Sequence, residues 1–185
     1  CVVCVSPLST FTTPLSLSLS LSHTQVLRRV LQAQAGGGKK KGGADTSKTL
    51  VFCNSVQSAR AVQHSLAEAG MVVPSYHGGL NPKDRAANMA AFRAADSNTS
   101  SVDGEGSSVL STVMVCTDLA ARGIDIPDIS HVVLFDFPLN PVDYLHRSGR
   151  CGRAGRAGTV TSIITITRWL HSAPLHQFDT WTLRC

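Results

Sequence analysis

Thr49-Leu-Val-Phe-Cys53 is a continuous apolar run of buried-strand length, and Asn54-Ser55 directly after it can cap a helix. In the segment that follows, Ala59, Val62, Leu66 and Ala69 fall on one helical face, and Gly70 stops the helix. A strand with no polar alternation is buried on both sides, as in a parallel sheet covered by helices. Reading outward, the pattern repeats. Met71–Ser75 is a short strand, Pro82–Ala95 a helix and Thr112–Cys116 a strand. A helical turn then leads through Gly123, and His131–Phe135, Pro141–Gly149 and Thr159–Ile166 read as strand, helix and strand. Repeated strand–helix alternation predicts an α/β fold, a parallel sheet with helices on both faces. In such sheets ligands bind at the carboxyl ends of the strands.

The flanks are different in kind. Residues 1–23 are low in complexity, and Leu15 to Ser22 alternate Leu and Ser before His23-Thr24-Gln25. That run is what a translated pyrimidine tract and splice acceptor would give, so 1–25 is assigned as mistranslated intron. No acidic residue occurs from Cys1 to Ala44. Val26–Ala35 reads as a short helix, and Gly36–Gly43 as a Gly/Lys linker that completes a 26–47 segment. The linker is no phosphate-binding loop: Lys40 follows Gly38-Lys39 where the motif needs Ser or Thr, and Ala33 stands at the first glycine. The globular unit is 48–166. Within it Ser97–Ser111, rich in Ser, Asp and Gly, reads as a flexible surface insertion. Residues 167–185 carry Trp169 and Trp181 without periodicity and are read as a tail from a gene-model error.

Composition bounds the rest. The 185 residues, 43% hydrophobic, suffice for one ordinary domain, and 5% aromatics leave the core to Val, Ile, Leu and Ala. A net charge of +5 is compatible with nucleic acid without requiring it. Cys1 and Cys4 form a lone CxxC with no second ligand pair, so no metal site is expected. Cys53 and Cys116 read as core residues. The absence of a disulfide framework points to an intracellular, reducing compartment. No apolar run reaches the roughly 18 residues a membrane span requires. The chain begins with Cys, which reads as a fragment.

Four segments follow strands directly: Asn54-Ser55, Tyr76-His-Gly-Gly-Leu80, Thr117 through Asp125, and Asp136 through Gly158. The last holds four successive Arg-x-Gly triplets starting at Arg147, Arg150, Arg153 and Arg156, with His146 just before and no acidic residue between Tyr144 and Val160. Crowded arginines repel, and a fixed anionic partner relieves them. A disordered Arg/Gly tail or a solvated basic loop are the other readings, weakened by the strands that frame the run.

The stretch from Tyr144 to Arg156 resembles motif VI of the DEAD-box RNA helicases, and Val115 to Pro127 resembles their motif V. Val51-Phe-Cys-Asn-Ser55 is similar to motif IV, and Tyr76-His-Gly-Gly-Leu80 with Arg85 and Phe92 to the segment after it. The resemblance covers 48–166 and implies the C-terminal RecA-like lobe. It implies that Arg150 and Arg153 reach the γ-phosphate of ATP held on a partner lobe, and planar guanidinium suits that charge. Gly123 and Asp125 would meet the nucleotide, Asp125 at a ribose hydroxyl; a capping aspartate is its other reading. His146 would couple nucleotide to RNA, or sit as a satisfied interface histidine. Ser55, Gly78, Arg85 and Thr117 would contact RNA phosphates and sugars, with Ser55 also able to act as a plain helix cap. Arg122 and Arg147 fit ion pairs within the lobe.

Three departures stand out. Cys151 replaces the family's Thr and keeps the loop's small side chain. Pro82 replaces its Gln and loses a polar RNA contact. The insertion 97–111 is longer than usual. This chain contains neither the GxxxxGK[ST] loop nor an Asp-Glu-Ala-Asp box. The implied whole is therefore a monomeric two-lobed enzyme using ATP with Mg2+, the Mg2+ held mainly by an N-terminal RecA-like lobe, that separates RNA strands locally. This lobe alone would be inactive. The alternative is a free, catalytically inactive lobe serving as an RNA-binding or regulatory module.

Overall fold

The structure is a computed structural model that describes residues 2–7, 22–35, 48–95, 100–102, 108–110, 112–121, 126, 129–152 and 158–164. In chain order the elements are β1 (Val2–Pro7), α1 (His23–Ala35), β2 (Lys48–Phe52), α2 (Val56–Glu68), β3 (Met71–Val72) and β4 (Ser75–Tyr76). Then come α3 (Pro82–Ala94), β5 (Ser100–Val102), β6 (Ser108–Leu110), β7 (Val113–Cys116), α4 (Asp118–Ala121), β8 (Ile129–Leu134), α5 (Pro141–Ser148) and β9 (Thr159–Ile164). The main sheet runs β1-β9-β8-β2-β7-β4. Every pairing in it is parallel except β1 with β9.

β2 stands at the centre, and its side chains alternate between two cores. Val51 and Cys53 join Val26, Leu27 and Leu31 of α1 and Ala59, Val62 and Leu66 of α2 on one face. Leu50 and Phe52 join Met89 and Phe92 of α3, with Met114, Cys116, Val132 and Leu134, on the other. Both faces are buried, which explains the unbroken apolar runs. Each fully buried Leu, Val or Phe contributes about 1.5–3 kcal/mol relative to exposure. At the start of β2 the Lys48 ammonium donates to the Arg93 carbonyl at 2.6 Å and lies 5.8 Å from the Phe92 ring centre. The charge thus sits at the C-terminal end of α3, where the helix dipole favours it.

The structure corrects the sequence reading in four places. Met71–Ser75 is not one strand: it divides at Val73-Pro74, so that β3 pairs with β6 in a small second sheet while β4 joins β7 in the main one. Proline has no N–H to give a ladder, and the Pro74 carbonyl instead accepts from Val115 N at 3.0 Å. The insertion 97–111 is not only loop, because β5 and β6 pair antiparallel within it and extend from β3. Ala69 lies exposed past the end of α2, as its C-cap, with Gly70 beyond it at φ 75°. At the N-terminus, Val2–Pro7 adds to the edge of β9, and α1 begins at His23, inside the segment read as low complexity. Residues 167–185 lie outside the described residues. Among the described residues no helix is long and apolar enough to cross a membrane.

Candidate functional site

Helix α5 begins at a tight local cap. The Asn140 side chain accepts from the Asp143 amide at 2.8 Å and donates to the Asp143 carboxylate at 2.6 Å, with Pro141 in the first turn. Its last turn carries His146 and Arg147, and the arginine's charge stands at the helix end where the dipole favours it. His146 points outward and is exposed, whereas Arg147 turns in and is only 1% exposed.

A buried guanidinium needs acceptors, and Arg147 has four hydrogen bonds, at least one from each nitrogen. Nε donates to Asp118 Oδ1 at 2.6 Å and Nη2 to Asp118 Oδ2 at 2.8 Å, a two-point ion pair. Nη2 also donates to Asn54 Oδ1 at 2.8 Å, and Nη1 to the Asp136 carbonyl at 3.0 Å. The guanidinium lies 5.5 Å from the centre of the Phe52 ring. Asp136 in turn accepts at Oδ2 from the Asn54 amide at 3.0 Å and from Ser58 Oγ at 2.5 Å. Asn54, Asp118 and Asp136 follow the neighbouring strands β2, β7 and β8. One arginine therefore gathers three strand ends and helix α5. The ion-pair role read for Arg147 holds. The residues missed were its partners, whose signal was a polar side chain soon after each buried strand.

The RNA-side candidates occupy the same rim. β2, β7 and β4 are adjacent and parallel, with Phe52 and Tyr76 both in register with Cys116. The segments carrying Ser55, Thr117 and Gly78 thus leave the sheet at one level, side by side. Ser55 is the N-cap of α2, its Oγ accepting from Ser58 N at 3.0 Å, and it remains exposed. Thr117 is buried, its amide donating to Tyr76 O at 3.2 Å. Gly78 is exposed. Arg85, half-buried, stands in α3 just past the Asn81 cap, on a helix tied to β4 by Asn88 Nδ2 donating to Ser75 O at 2.8 Å.

Of the residues expected to meet nucleotide, Arg150 follows α5, its Nε donating to His146 O at 3.2 Å. Cys151 is buried, its Sγ donating to Ser148 O at 3.3 Å, and burial pushes its thiol up to about 11. Gly152 takes φ 69°, open at little cost only to glycine, and Gly158 packs so close that a Cβ there would lie 2.5 Å from Gly152 N. Gly123, Asp125 and Arg153, with Arg122, lie outside the described residues. Burial also raises the thiols of Cys53, to about 12, and Cys116, so both stay protonated core residues. No cluster of three metal-ligating side chains occurs among the described residues.

The model of the helicase conserved C-terminal domain matches residues 26–155. This chain belongs to that family, as the C-terminal lobe of a DEAD-box helicase. The lobe is 45% identical over 122 residues to DEAD-box ATP-dependent RNA helicase 39 of Arabidopsis thaliana, covering 66% of this chain and 18% of that protein. To helicase 22 of the same plant it is 39% identical, covering 69% and 19%. It thus spans less than a fifth of these curated relatives. Among solved structures it is similar to the S. cerevisiae protein Dbp5 bound to RNA and ADP BeF3, with TM-score 0.59 and 29% identity, covering 77% of this chain and 32% of that one. It is also similar to the E. coli DEAD-box protein SrmB bound to the regulator RraA, with TM-score 0.52 and 34% identity, covering 77% and 69%. The RecA-like fold expected for a DEAD-box lobe is thereby shown.

Proposed function

We propose that this DEAD-box lobe forms half of an ATP-dependent RNA helicase: it grips the RNA backbone along one rim and supplies Arg150 and Arg153 to ATP held on an N-terminal RecA-like lobe. The observation that carries this reading is the placement of Arg147. It joins the helix bearing His146 and leading to Arg150 with the ends of β2 and β7, next to Ser55 and Thr117. Phosphate-facing and RNA-facing groups then stand on one buried polar frame, so a shift of one is felt by the other. The printed names and titles of the relatives, ATP-dependent RNA helicases and a protein bound to RNA with ADP BeF3, agree with it.

In this reading Arg150 and Arg153 neutralise charge on the transferring phosphoryl oxygens, Gly123 and Asp125 meet the nucleotide, and His146 relays its state toward the RNA. Ser55, Gly78, Arg85 and Thr117 hold phosphates and sugars without reading bases, which suits a sequence-tolerant enzyme. Mg2+ arrives with ATP and is assigned to the N-terminal lobe. The buried free thiols suit an intracellular setting. The test is RNA-stimulated ATP turnover by this lobe joined to a matching N-terminal lobe. Turnover that ignores both Arg150→Lys and Arg153→Lys would remove the proposed arginine role.

A further inference from the structure

The turn after β4 is pinned from both sides. His77, 1% exposed, accepts at Nδ1 from the Gly79 amide at 3.2 Å. That bond makes the ring neutral, with its proton on Nε2. Nε2 is buried and has no hydrogen-bond partner among the described residues. From α2, Arg60 Nη2 donates to the Gly79 carbonyl at 3.1 Å. A Cβ on Gly79 would lie 2.7 Å from Val56 Cγ1 and 2.8 Å from Arg60 Nη2, so this close approach requires glycine. Gly78 is the opposite: it is exposed, and a Cβ there would meet nothing within 4 Å.

An N–H buried without an acceptor is costly, so packing alone does not favour imidazole at this position. What the ring does supply is an acceptor for the Gly79 amide. We propose that His77 is a positioning residue for RNA: its neutral ring holds the Gly79 amide and so presents the Gly78 backbone to an RNA phosphate, and its protonation lets the turn go. The proposal rests on the reading of Gly78 as an RNA contact. Protonation puts a donor where the acceptor was, facing another donor. Burial holds the imidazole below its ordinary 6.5, and Arg60 of α2, the charged group that faces the ring across the turn, lowers it further. Release therefore belongs to solution more acid than the imidazole's ordinary 6.5. Its sign is distinctive, because adding positive charge to an ordinary basic surface strengthens phosphate binding.

The test is the affinity of this chain for a labelled single-stranded oligouridine at fixed salt, from about pH 8 to about pH 5. Affinity is expected to fall roughly threefold to tenfold as the ring takes up its proton, the worth of one hydrogen bond. His77→Asn places Oδ1 where Nδ1 was, and should keep the affinity and abolish the fall. His77→Gln carries its amide to the Nε2 end, leaves the Gly79 amide unmet, and should bind weakly at every pH. Exchange of the Gly79 amide with solvent gives a second readout, slow in the wild type near pH 8 and in His77→Asn, fast in His77→Gln. Equal binding by the Asn and Gln variants, or tighter wild-type binding as pH falls, would overturn the role of His77 alone. No RNA binding at any pH, with Gly79 still titrating, would instead sink the RNA reading and this role with it.

Discussion

Arg147 and Asp118 meet in a two-point ion pair, Nε to Oδ1 at 2.6 Å and Nη2 to Oδ2 at 2.8 Å, with the arginine side chain 2% exposed and the aspartate 33%. The asymmetry decides what each substitution does. Removing the arginine strips donors from Asn54 and the Asp136 carbonyl as well as from Asp118. Arg147→Ala is expected to cost about 2–3 kcal/mol, less than a fully buried pair because the aspartate left behind is a third exposed. Arg147→Lys should cost less but remain destabilising, since one ammonium cannot span three acceptors set by a fork. Urea unfolding of this lobe measures both. A loss under about 1 kcal/mol for Arg147→Ala would mean the pair behaves as a surface contact.

The second expectation concerns acid. His131 is 1% exposed, Nε2 lies 2.8 Å from Thr161 Oγ1, and burial lowers its pKa to about 4. The unfolded chain, near 6.5, takes up the proton first. Stability is therefore whole above about pH 6.5 and drains away as pH falls toward 4, by up to about 3 kcal/mol from this residue. His77, also lowered, acts with the same sign. The difference between wild type and His131→Gln isolates His131: urea midpoints should fall less steeply with acid in the variant. Parallel pH curves would contradict this.

Cys151 offers a mild test of the arginine-rich loop. Its Sγ donates to Ser148 O at 3.3 Å inside the core, which a threonine hydroxyl can also do. Cys151→Thr should change stability by less than about 1 kcal/mol, while Cys151→Val, of similar bulk and without a donor, should cost about 1 kcal/mol or more. Thermal or urea unfolding separates the two. Equal losses would show that the bond contributes nothing.

These sites were unequally legible. The two-sided burial of β2 could be read from Thr49 to Cys53, because five residues with no polar break admit few other structures. The N-cap at Ser55 and the helix stop at Gly70 could be read from local chemistry. The division of Met71–Ser75 could not, because Pro74 only forbids a ladder bond, and which sheet each half joins depends on the distant β6 and β7. The pairing within 97–111 escaped for the same reason, with Ser and Gly giving little local preference. The rim that carries the candidate residues was legible as positions after strands. Its frame was not: that Asn54 and Asp118 serve Arg147 is a matter of three strands meeting, and no spacing along the chain encodes it.

A further expectation separates lobe from enzyme. Lacking the GxxxxGK[ST] loop and the Asp-Glu-Ala-Asp box, this chain should hydrolyse no ATP above background, with or without RNA. A phosphate-release assay on the purified chain checks it, and RNA-stimulated turnover there would place a nucleotide site within these 185 residues.

The last expectation divides the arginines by task in this lobe joined to a matching N-terminal lobe. Arg150 leaves α5 at the end of the Arg147 frame, whereas Arg85 stands in the first turns of α3, a helix tied to the edge strand β4. Arg150→Lys keeps charge and loses the planar fork, so ATP turnover should fall strongly while RNA binding without nucleotide stays nearly intact. An arginine at a transferring phosphoryl group is worth roughly 10³–10⁵ in rate in other enzymes, and a slow two-lobed one is expected to show less. Arg153→Lys should share the profile. Arg85→Ala should act in reverse order, lowering RNA affinity and the steepness of its salt dependence before basal turnover changes. A solvated basic surface makes a different forecast, in which each lost or altered cation weakens RNA binding alike and turnover only through it. Measuring turnover at saturating RNA and RNA affinity without nucleotide distinguishes the two. If Arg150→Lys and Arg85→Ala gave the same pattern in both assays, phosphate and RNA would not be served by separate residues.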